Sequence, residues 1–226
     1  MTTKQILVRY CRLLVGLVLF AFGSACAVNA NIGINPWGVF NQGMTHVLPI
    51  TYGQASIMVG IIILFIDLAL GQPIGMGTLC DILVIGSVVD LVFAAGWIPV
   101  CQTLAGGLLM MMASLVLISV GSYFYLGSGF GSGPRDALMV ALVQRLPNRP
   151  VGLIRSCLEG GALLVGWLLG GQVGIGTVVS VFGIGIVMQA TFHLLKFDVG
   201  AVHHESVRES IRNLKAALQG QKEGQM

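Results

Sequence analysis

The sequence contains an internal repeat, and this repeat restricts the possible folds more than any other feature of the chain. A shift of 98 residues keeps a first set of positions in register: Gly33 with Gly131, Pro36 with Pro134 and Leu48-Pro49 with Leu146-Pro147. After one inserted residue, a shift of 99 superposes the motif Gly-x-Gly-Thr at 75–78 on its second occurrence at 174–177. The chain is therefore built from two copies of one unit.

The composition identifies the environment in which these two copies fold. Of the 226 residues, 55% are hydrophobic and only 9% are charged, so polar groups cannot cover a water-facing surface. The chain offers six apolar runs close to the length of about 20 residues that crosses a bilayer. We predict an integral membrane protein with three spans in residues 13–97 and three in residues 105–196.

The predicted spans follow the repeat. They cover residues 13–28, 53–70, 77–96, 105–126, 151–169 and 176–195. The first run resembles a signal peptide that ends in Ala25-Cys26-Ala27. Its counterpart in the second copy, residues 106–127, lies in mid-chain where no signal peptide can be, so we interpret the run as a spanning helix.

Each copy also contains a short apolar element that begins with a proline, at residues 36–48 and 134–146. Pro36 suits the first turn of a helix, and Asn35 stands where it can cap that helix. The sequence leaves open whether these helices re-enter the bundle or lie flat in the interface as connectors. A re-entrant helix would bring its unpaired N–H groups toward the centre of the protein.

The distribution of basic residues predicts the topology. Lys and Arg cluster in residues 1–12, in residues 135–155 and after residue 196, and the other connections lack them. The positive-inside rule places these three clusters, and thus both termini, in the cytoplasm of a bacterium whose inner membrane holds the protein. Three spans per copy is an odd number, so the second copy is inserted upside down. The predicted fold is all-α, a 3+3 inverted-topology repeat.

The tail, residues 197–226, has a soluble composition. Val207, Ile211, Leu214 and Leu218 recur at helical spacing, which predicts an amphipathic helix on the membrane surface or on the bundle. Contact with membrane lipid, and a homo-oligomer or a protein partner bound through this tail, are the corresponding expectations.

Ionisable residues inside the predicted spans are costly in hydrocarbon and should face protein or water. Asp67 and Asp81 lie near helix ends, where we expect them to be solvated. Asp90 lies deeper and aligns with Gln189, which suits either an ion-coupling role or a hydrogen bond between helices. Arg155 and Glu159 are four residues apart and form either a structural ion pair or part of a site.

Other chemistries find little support in the sequence. The Gly-x-Gly-Thr motifs lack the lysine of a phosphate-binding loop, and we expect each threonine to cap the helix that it begins. The spans show no metal-ligand spacing and no nucleophile with an attendant histidine. We therefore expect no cofactor, no bound metal, no enzymatic activity and no nucleic-acid partner.

Taken in order, these motifs resemble those of the bacterial YczE/YyaS/YitT family of membrane proteins. The likeness covers residues 8–196 and rests on Gly-Ile-Asn-Pro-Trp-Gly, the two Gly-x-Gly-Thr motifs, Asp90, Gly-x-Gly-Pro-Arg-Asp and the pair Arg155 and Glu159. Gly38 stands where the family often has an acidic residue, whereas Asp136 occupies the matching position of the second copy. The resemblance implies the architecture more than an activity.

Inverted repeats are common in transporters, which bind solutes at the repeat interface. We expect a small polar or anionic solute to meet the short helices and the fifth span. The candidate substrate-binding residues are Asn35, Pro36, Trp37, Gly131, Gly133, Pro134, Arg135, Asp136, Arg155 and Glu159, and the candidate ion-coupling residues are Asp90 and Gln189. The alternative function is a non-transporting scaffold or accessory subunit that binds other membrane proteins.

Overall fold

The computed structural model describes residues 3–146, 148–198, 202, 205–207, 209–210 and 212–213. Its described part is helical, and we number its helices in chain order. They are α1 (Thr3–Asn29), α2 (Pro36–Val47), α3 (Tyr52–Ala69), α4 (Met76–Ala94), α5 (Leu104–Leu126), α6 (Pro134–Arg145), α7 (Val151–Leu168) and α8 (Ile175–Leu194).

Six of these helices, α1, α3, α4, α5, α7 and α8, are long and apolar enough to cross a membrane. The predicted bounds agree with them to within about two residues, except that α1 begins at Thr3 rather than at residue 13. Helix α4 contains one π-helical segment, Asp81–Ile85, in its middle. Of the predicted tail stripe, Val207 is described, whereas Ile211, Leu214 and Leu218 lie outside the described residues.

The connections between the spanning helices fall into two groups at opposite ends of the bundle. At one end, Arg9 of α1 donates to the carbonyl of Ser128 at 2.7 Å and pairs with Glu205 at 2.6 Å. The Val207 N–H reaches the Ile74 carbonyl at the same end. We call this end the amino-terminal side.

The remaining connections lie at the opposite end of the bundle. The Asn29 side chain donates to the Ile98 carbonyl at 2.7 Å, and the Gln172 side chain donates to the Asn31 carbonyl at 3.2 Å. The chain therefore changes ends at each of the six long helices.

The loop before each short helix packs on the Gly-x-Gly-Thr motif of the other copy. The Gly77 N–H donates to the Phe130 carbonyl at 2.7 Å, and the equivalent Gly176 N–H donates to the Ile32 carbonyl at 2.7 Å. The Thr78 hydroxyl donates to the Ser132 carbonyl at 2.6 Å. The expectation that Thr78 caps its own helix is therefore wrong, because its hydroxyl joins the two copies instead.

Close contact between these loops and motifs requires glycine. A Cβ built on Gly33 would lie 2.5 Å from the Gly174 nitrogen, and one on Gly131 would lie 2.8 Å from Gly75 Cα. Both glycines have positive φ, +101° and +114°, a region that L side chains rarely adopt. The repeated glycines thus mark two equivalent junctions between the copies.

Helices α1 and α5 cross at the centre of the bundle, and their close contacts also occur as equivalent pairs of residues in the two copies. A Cβ on Gly23 would lie 3.0 Å from the Ser114 carbonyl, and one on Gly121 would lie 2.8 Å from the Gly16 carbonyl. Small residues let the two backbones approach closely, as is common between helices in membranes.

The short helices α2 and α6 start from opposite sides and meet inside the protein. Asn35 caps α2 as predicted, because its Oδ1 accepts from the Gly38 N–H at 2.7 Å, and Pro36 is the first helical residue. The guanidinium of Arg135, in the first turn of α6, lies 4.9 Å from the centroid of the Trp37 ring in the first turn of α2. This contact favours re-entry of both short helices over a flat position at the interface.

Candidate functional site

A cavity of about 460 Å³ lies around the meeting point of α2 and α6. All eight helices contribute to its wall, among them α1 with Ser24, α4 with Asp81 and α8 with Ser180. Its volume lies within the range of about 300 to 1,000 Å³ that is usual for small-molecule sites.

Most of the predicted substrate-binding residues line this cavity. They are Asn35, Pro36, Trp37, Gly133, Pro134, Arg135, Asp136, Arg155 and Glu159. Gly131 is absent from this set, since it packs against Gly75 at a junction between the copies. The geometry thus brings together residues that are more than 100 positions apart in the sequence.

Arg135 is the central cation of the cavity. In the described part of the chain, no carboxylate lies within ion-pair distance of its guanidinium, which packs over the face of Trp37. An arginine is protonated at physiological pH, so Arg135 presents a cation with unused N–H donors.

The start of α6 adds further donors beside Arg135. Gly133 is its N-cap residue and supplies no side-chain cap, in contrast to Asn35 at the start of α2. The first-turn N–H groups of a helix carry partial positive charge and bind anions or polar oxygen atoms.

Three buried polar atoms in the cavity wall lack a hydrogen-bond partner among the described residues: Asn41 Oδ1, Ser114 Oγ and the Tyr125 hydroxyl. Their residues are only 2%, 0% and 5% exposed. An unsatisfied buried polar group costs about 1 to 3 kcal/mol. A polar molecule in the cavity would relieve this cost.

Arg155 and Glu159 form an ion pair on α7, with Nε and Oε1 3.0 Å apart. The pair lines the cavity, yet the Arg155 side chain is 58% exposed. Both sequence-based interpretations, an ion pair and a site component, therefore remain compatible with its position.

The two candidate ion-coupling residues lie away from the cavity wall. Asp90 accepts from the Gly53 N–H at 2.7 Å and from the Thr51 hydroxyl, which ties α4 to the start of α3. Gln189 is exposed in a shallow depression that it shares with Gly185 and Phe192. Two roles were suggested for Asp90. The structure shows the second of them, a hydrogen bond between helices.

Comparison with known sequences identifies the family of the chain. A family model described as a family of unknown function, DUF6198, matches residues 7–193. The chain belongs to this family. Its relatives include the protein named uncharacterized membrane protein YczE of Bacillus subtilis, 28% identical over 82% of this chain and 86% of the relative.

Two further relatives of this DUF6198 member extend the comparison. An uncharacterized protein of Haemophilus influenzae is 31% identical over 81% of this chain and 83% of the relative. The uncharacterized protein YyaS of Bacillus subtilis is 25% identical over 74% of this chain and 84% of the relative. The resemblance to YczE and YyaS is confirmed, and no solved structure matches the chain significantly.

Two acidic residues of this DUF6198 member differ from the sequence-based expectation. Asp67 is 1% exposed rather than solvated, and no partner among the described residues reaches either carboxylate oxygen. Asp81 lines the cavity at the first position of the π-helical segment. Its alignment with the polar Ser180, which also lines the cavity, is the signal that could have identified it.

A second missed feature is a pair of serines. Ser24 and Ser122 are equivalent at the shift of 98, and both line the cavity. The recurrence of a serine at this position of both copies is the signal that could have identified the pair.

Proposed function

We propose that this protein is a small transporter or channel-like permeation protein for a small polar or anionic solute. The observation that carries the proposal is the cavity, which the first turns of α2 and α6 enter and whose wall holds unpartnered polar groups. Sites of this kind, at the meeting point of short helices from two copies, are typical of secondary transporters.

The charges of the cavity narrow the solute class. Its wall holds two arginines, Arg135 and Arg155, against three carboxylates, Asp81, Asp136 and Glu159. This balance disfavours a multiply charged anion, because the carboxylates would repel it. A neutral polar solute, or a monoanion whose charged group meets Arg135 and the start of α6, fits the cavity better.

The proposed architecture is an inverted-topology repeat with both termini in the cytoplasm of a bacterial inner membrane. The reciprocal junctions, Gly33 with Gly174 and Gly131 with Gly75, support a pseudo-two-fold relation between the copies. The basic residues Arg9, Arg145 and Arg149 support a cytoplasmic amino-terminal side. The proposal includes no enzymatic activity.

The rival proposal, a scaffold or accessory subunit, would not need a polar cavity. A cavity that reaches Asn35 and Arg155, although not Asp90, favours permeation over a filled, apolar interior. A scaffold would also tolerate replacement of the groups that line the cavity, which provides a direct test.

The test combines binding with transport. Purified protein in detergent is screened by thermal denaturation against small organic acids, amino acids, sugars, polyols and inorganic anions, and the solutes that raise the midpoint are then tested for uptake into proteoliposomes. Arg135→Met should abolish both signals. The matched control, Arg145→Met, changes the same residue type on the same helix outside the cavity and should leave both signals intact. Absence of binding and of uptake across the whole panel would refute the proposal.

A further inference from the structure

The two copies differ at one helix pair that the repeat makes equivalent. Gly53, Gly86 and Asp90 of α3 and α4 align, at a shift of 99, with Gly152, Gly185 and Gln189 of α7 and α8. The first set forms a contact in this structure, and the second set leaves a gap.

The α3–α4 contact, formed by Gly53, Gly86 and Asp90, is closely packed. A Cβ on Gly53 would lie 2.1 Å from the Gly86 carbonyl, and one on Gly86 would lie 2.6 Å from the Gly53 carbonyl. Asp90 fastens the contact through the Gly53 N–H and the Thr51 hydroxyl. The contact lies at the start of α3, toward the side opposite the amino terminus.

The α7–α8 gap, bounded by Gly152, Gly185 and Gln189, is open. No heavy atom outside the immediate chain neighbourhood lies within 4 Å of a Cβ built on either glycine. In the described part of the chain, no hydrogen bond holds the Gln189 amide. The gap lies at the start of α7, toward the amino-terminal side.

The gap adjoins the cavity. Met188 and Phe192 line the cavity and also line the depression that holds Gly185 and Gln189. Movement of α7 against α8 at this point would therefore change access to the cavity from the amino-terminal side.

The other helix contacts occur in both copies. Helix α2 packs on α7 as α6 packs on α3, although the first contact is the more extensive, and α1 packs on α4 as α5 packs on α8. The α3–α4 and α7–α8 pairs differ most, because the first is packed and the second is open. Glycine is a poor helix former, and close approach of another backbone is the usual reason for it inside a helix. Gly152 and Gly185 have no such neighbour in this conformation, although, unlike Gly160 and Gly161, they align with glycines that do.

We propose that this structure is one of two conformations, and that in the other the α7–α8 gap closes while the α3–α4 contact opens. In the closed gap, Gly152 would meet Gly185, and the Gln189 side-chain oxygen would accept from the Gly152 N–H as Asp90 accepts from that of Gly53. The cavity would then exchange access between the two sides. This inference rests on the proposed transport function, to which it adds Gly152, Gly185 and Gln189 as gating residues.

The residues at the two helix pairs differ in a way that explains why α3–α4, rather than α7–α8, is in contact in this structure. Asp90 supplies a charged acceptor, which forms stronger hydrogen bonds than the neutral amide of Gln189. Thr51 adds a hydroxyl donor, whereas its equivalent, Pro150, has none. The hydrogen bonds of the α3–α4 contact are therefore stronger than those that could form across the α7–α8 gap.

Disulfide trapping tests the inference without knowledge of the solute. In membranes that contain a variant without its five native cysteines, the pair Pro150→Cys and Gln189→Cys should form an intrachain disulfide on oxidation with copper phenanthroline, because these positions are equivalent to Thr51 and Asp90, whose side chains meet across the α3–α4 contact. Gly152 and Gly185 stay unchanged, since their equivalents Gly53 and Gly86 leave no room for a Cβ in the closed contact. The matched control pair, Gly161→Cys with Gln189→Cys, places the first cysteine about three turns further along α7 and should remain reduced.

Two further substitutions test whether a weaker α3–α4 contact favours closure of the α7–α8 gap. Asp90→Asn weakens the α3–α4 contact and should raise the rate of disulfide formation at least threefold. Thr51→Val serves as a second way to weaken the contact if Asp90→Asn does not fold.

The outcomes separate the gate from transport itself. A rate equal to that of the control pair in all folded variants would overturn the gate, and so would a disulfide between two copies, which would mean that a second chain fills the gap. Uptake by proteoliposomes without an intrachain disulfide would leave transport standing and remove the gate. An intrachain disulfide without any solute uptake would retain the conformational change and remove transport.

Discussion

The guanidinium of Arg135 lies 4.9 Å from the centroid of the Trp37 ring, and these two residues occupy equivalent positions of the two copies. The proposed inverted repeat accounts for this contact, because equivalent positions of two copies meet near the axis that relates them. One partner is aromatic and the other cationic, so the meeting point of the two short helices is asymmetric. The tryptophan face can hold the arginine in place while its N–H donors remain available to a solute.

The first prediction concerns this contact. Trp37→Ala removes a cation–π interaction worth about 0.5 to 2 kcal/mol and leaves Arg135 less ordered, which corresponds to about 2- to 30-fold weaker binding of a panel solute that contacts Arg135. Trp37→Phe keeps an aromatic face and should retain most of the affinity. The dissociation constant from a thermal or fluorescence titration is the measurement, and equal constants for all three proteins would contradict the role of Trp37.

Local signals in the sequence were sufficient for the positions of the helices. Apolar run lengths, Pro36 with its cap Asn35, and glycines at the turns each act within a few residues, so the predicted ends of α3 and α5 differ from those of the structure by one residue or less. The repeat added the grouping of the helices into two units, because equivalent residues occur at a nearly constant shift.

The sequence did not predict contacts that depend on how each helix is rotated about its own axis. Asp67 was assigned to a solvated end, yet the rotation of α3 turns it inward, where it is 1% exposed. Asp81 begins a π-helical segment, which inserts extra backbone into a turn and changes the face on which the following residues lie. The contact of Trp37 with Arg135 likewise requires the packing of both copies, which no local pattern encodes.

A second prediction concerns topology. In a cysteine-free background, Val47→Cys at the end of α2 and Asn148→Cys after α6 should react with a membrane-impermeant thiol reagent from opposite sides of the membrane. Both positions are exposed, so lack of access does not limit the reaction. Intact cells should label Val47→Cys alone, and inverted vesicles should label Asn148→Cys alone. Labelling of both from the same side would be incompatible with the inverted repeat.

A third prediction compares glycines at the junctions with glycines in open space. Gly33→Ala and Gly131→Ala combine positive φ with a Cβ that approaches backbone atoms to 2.5 Å and 2.8 Å, so each should lower the free energy of unfolding by about 2 to 4 kcal/mol. Gly160→Ala and Gly161→Ala on α7 meet no atom within 4 Å and should be neutral or stabilising by up to about 1 kcal/mol. Thermal denaturation in detergent provides the comparison, and equal midpoints for the two classes would refute the junctions.

A fourth prediction concerns the tail. Glu205 pairs with Arg9 at 2.6 Å, and its N–H donates to the Gly129 carbonyl at 2.8 Å, close to the loop that leads to Arg135. Deletion of residues 202–226 should leave all six spans inserted, because the apolar helices determine insertion. The melting temperature should fall by about 3 to 12 °C, since a charge-assisted hydrogen bond contributes about 1.5 to 3 kcal/mol and a chain of this size shifts by about 2 to 4 °C per kcal/mol. Glu205→Gln should reproduce much of this loss, and a deletion protein that fails to insert would show a larger role for the tail.

The last prediction separates the two interpretations of Arg155 and Glu159. Their ion pair is exposed and four residues apart on one helix, a geometry that stabilises a helix by only about 0.3 to 0.5 kcal/mol. The double variant Arg155→Met with Glu159→Gln should therefore fold with nearly the wild-type melting temperature.

If the pair is only structural, solute uptake by the double variant should also be retained. We expect uptake to be lost, because both side chains line the cavity and Arg155 supplies the second of its two cations. The single variant Glu159→Gln should retain more uptake than Arg155→Met, because it keeps the cation. Full uptake by the double variant would remove both residues from the site and leave Arg135 and the start of α6 as its cationic part.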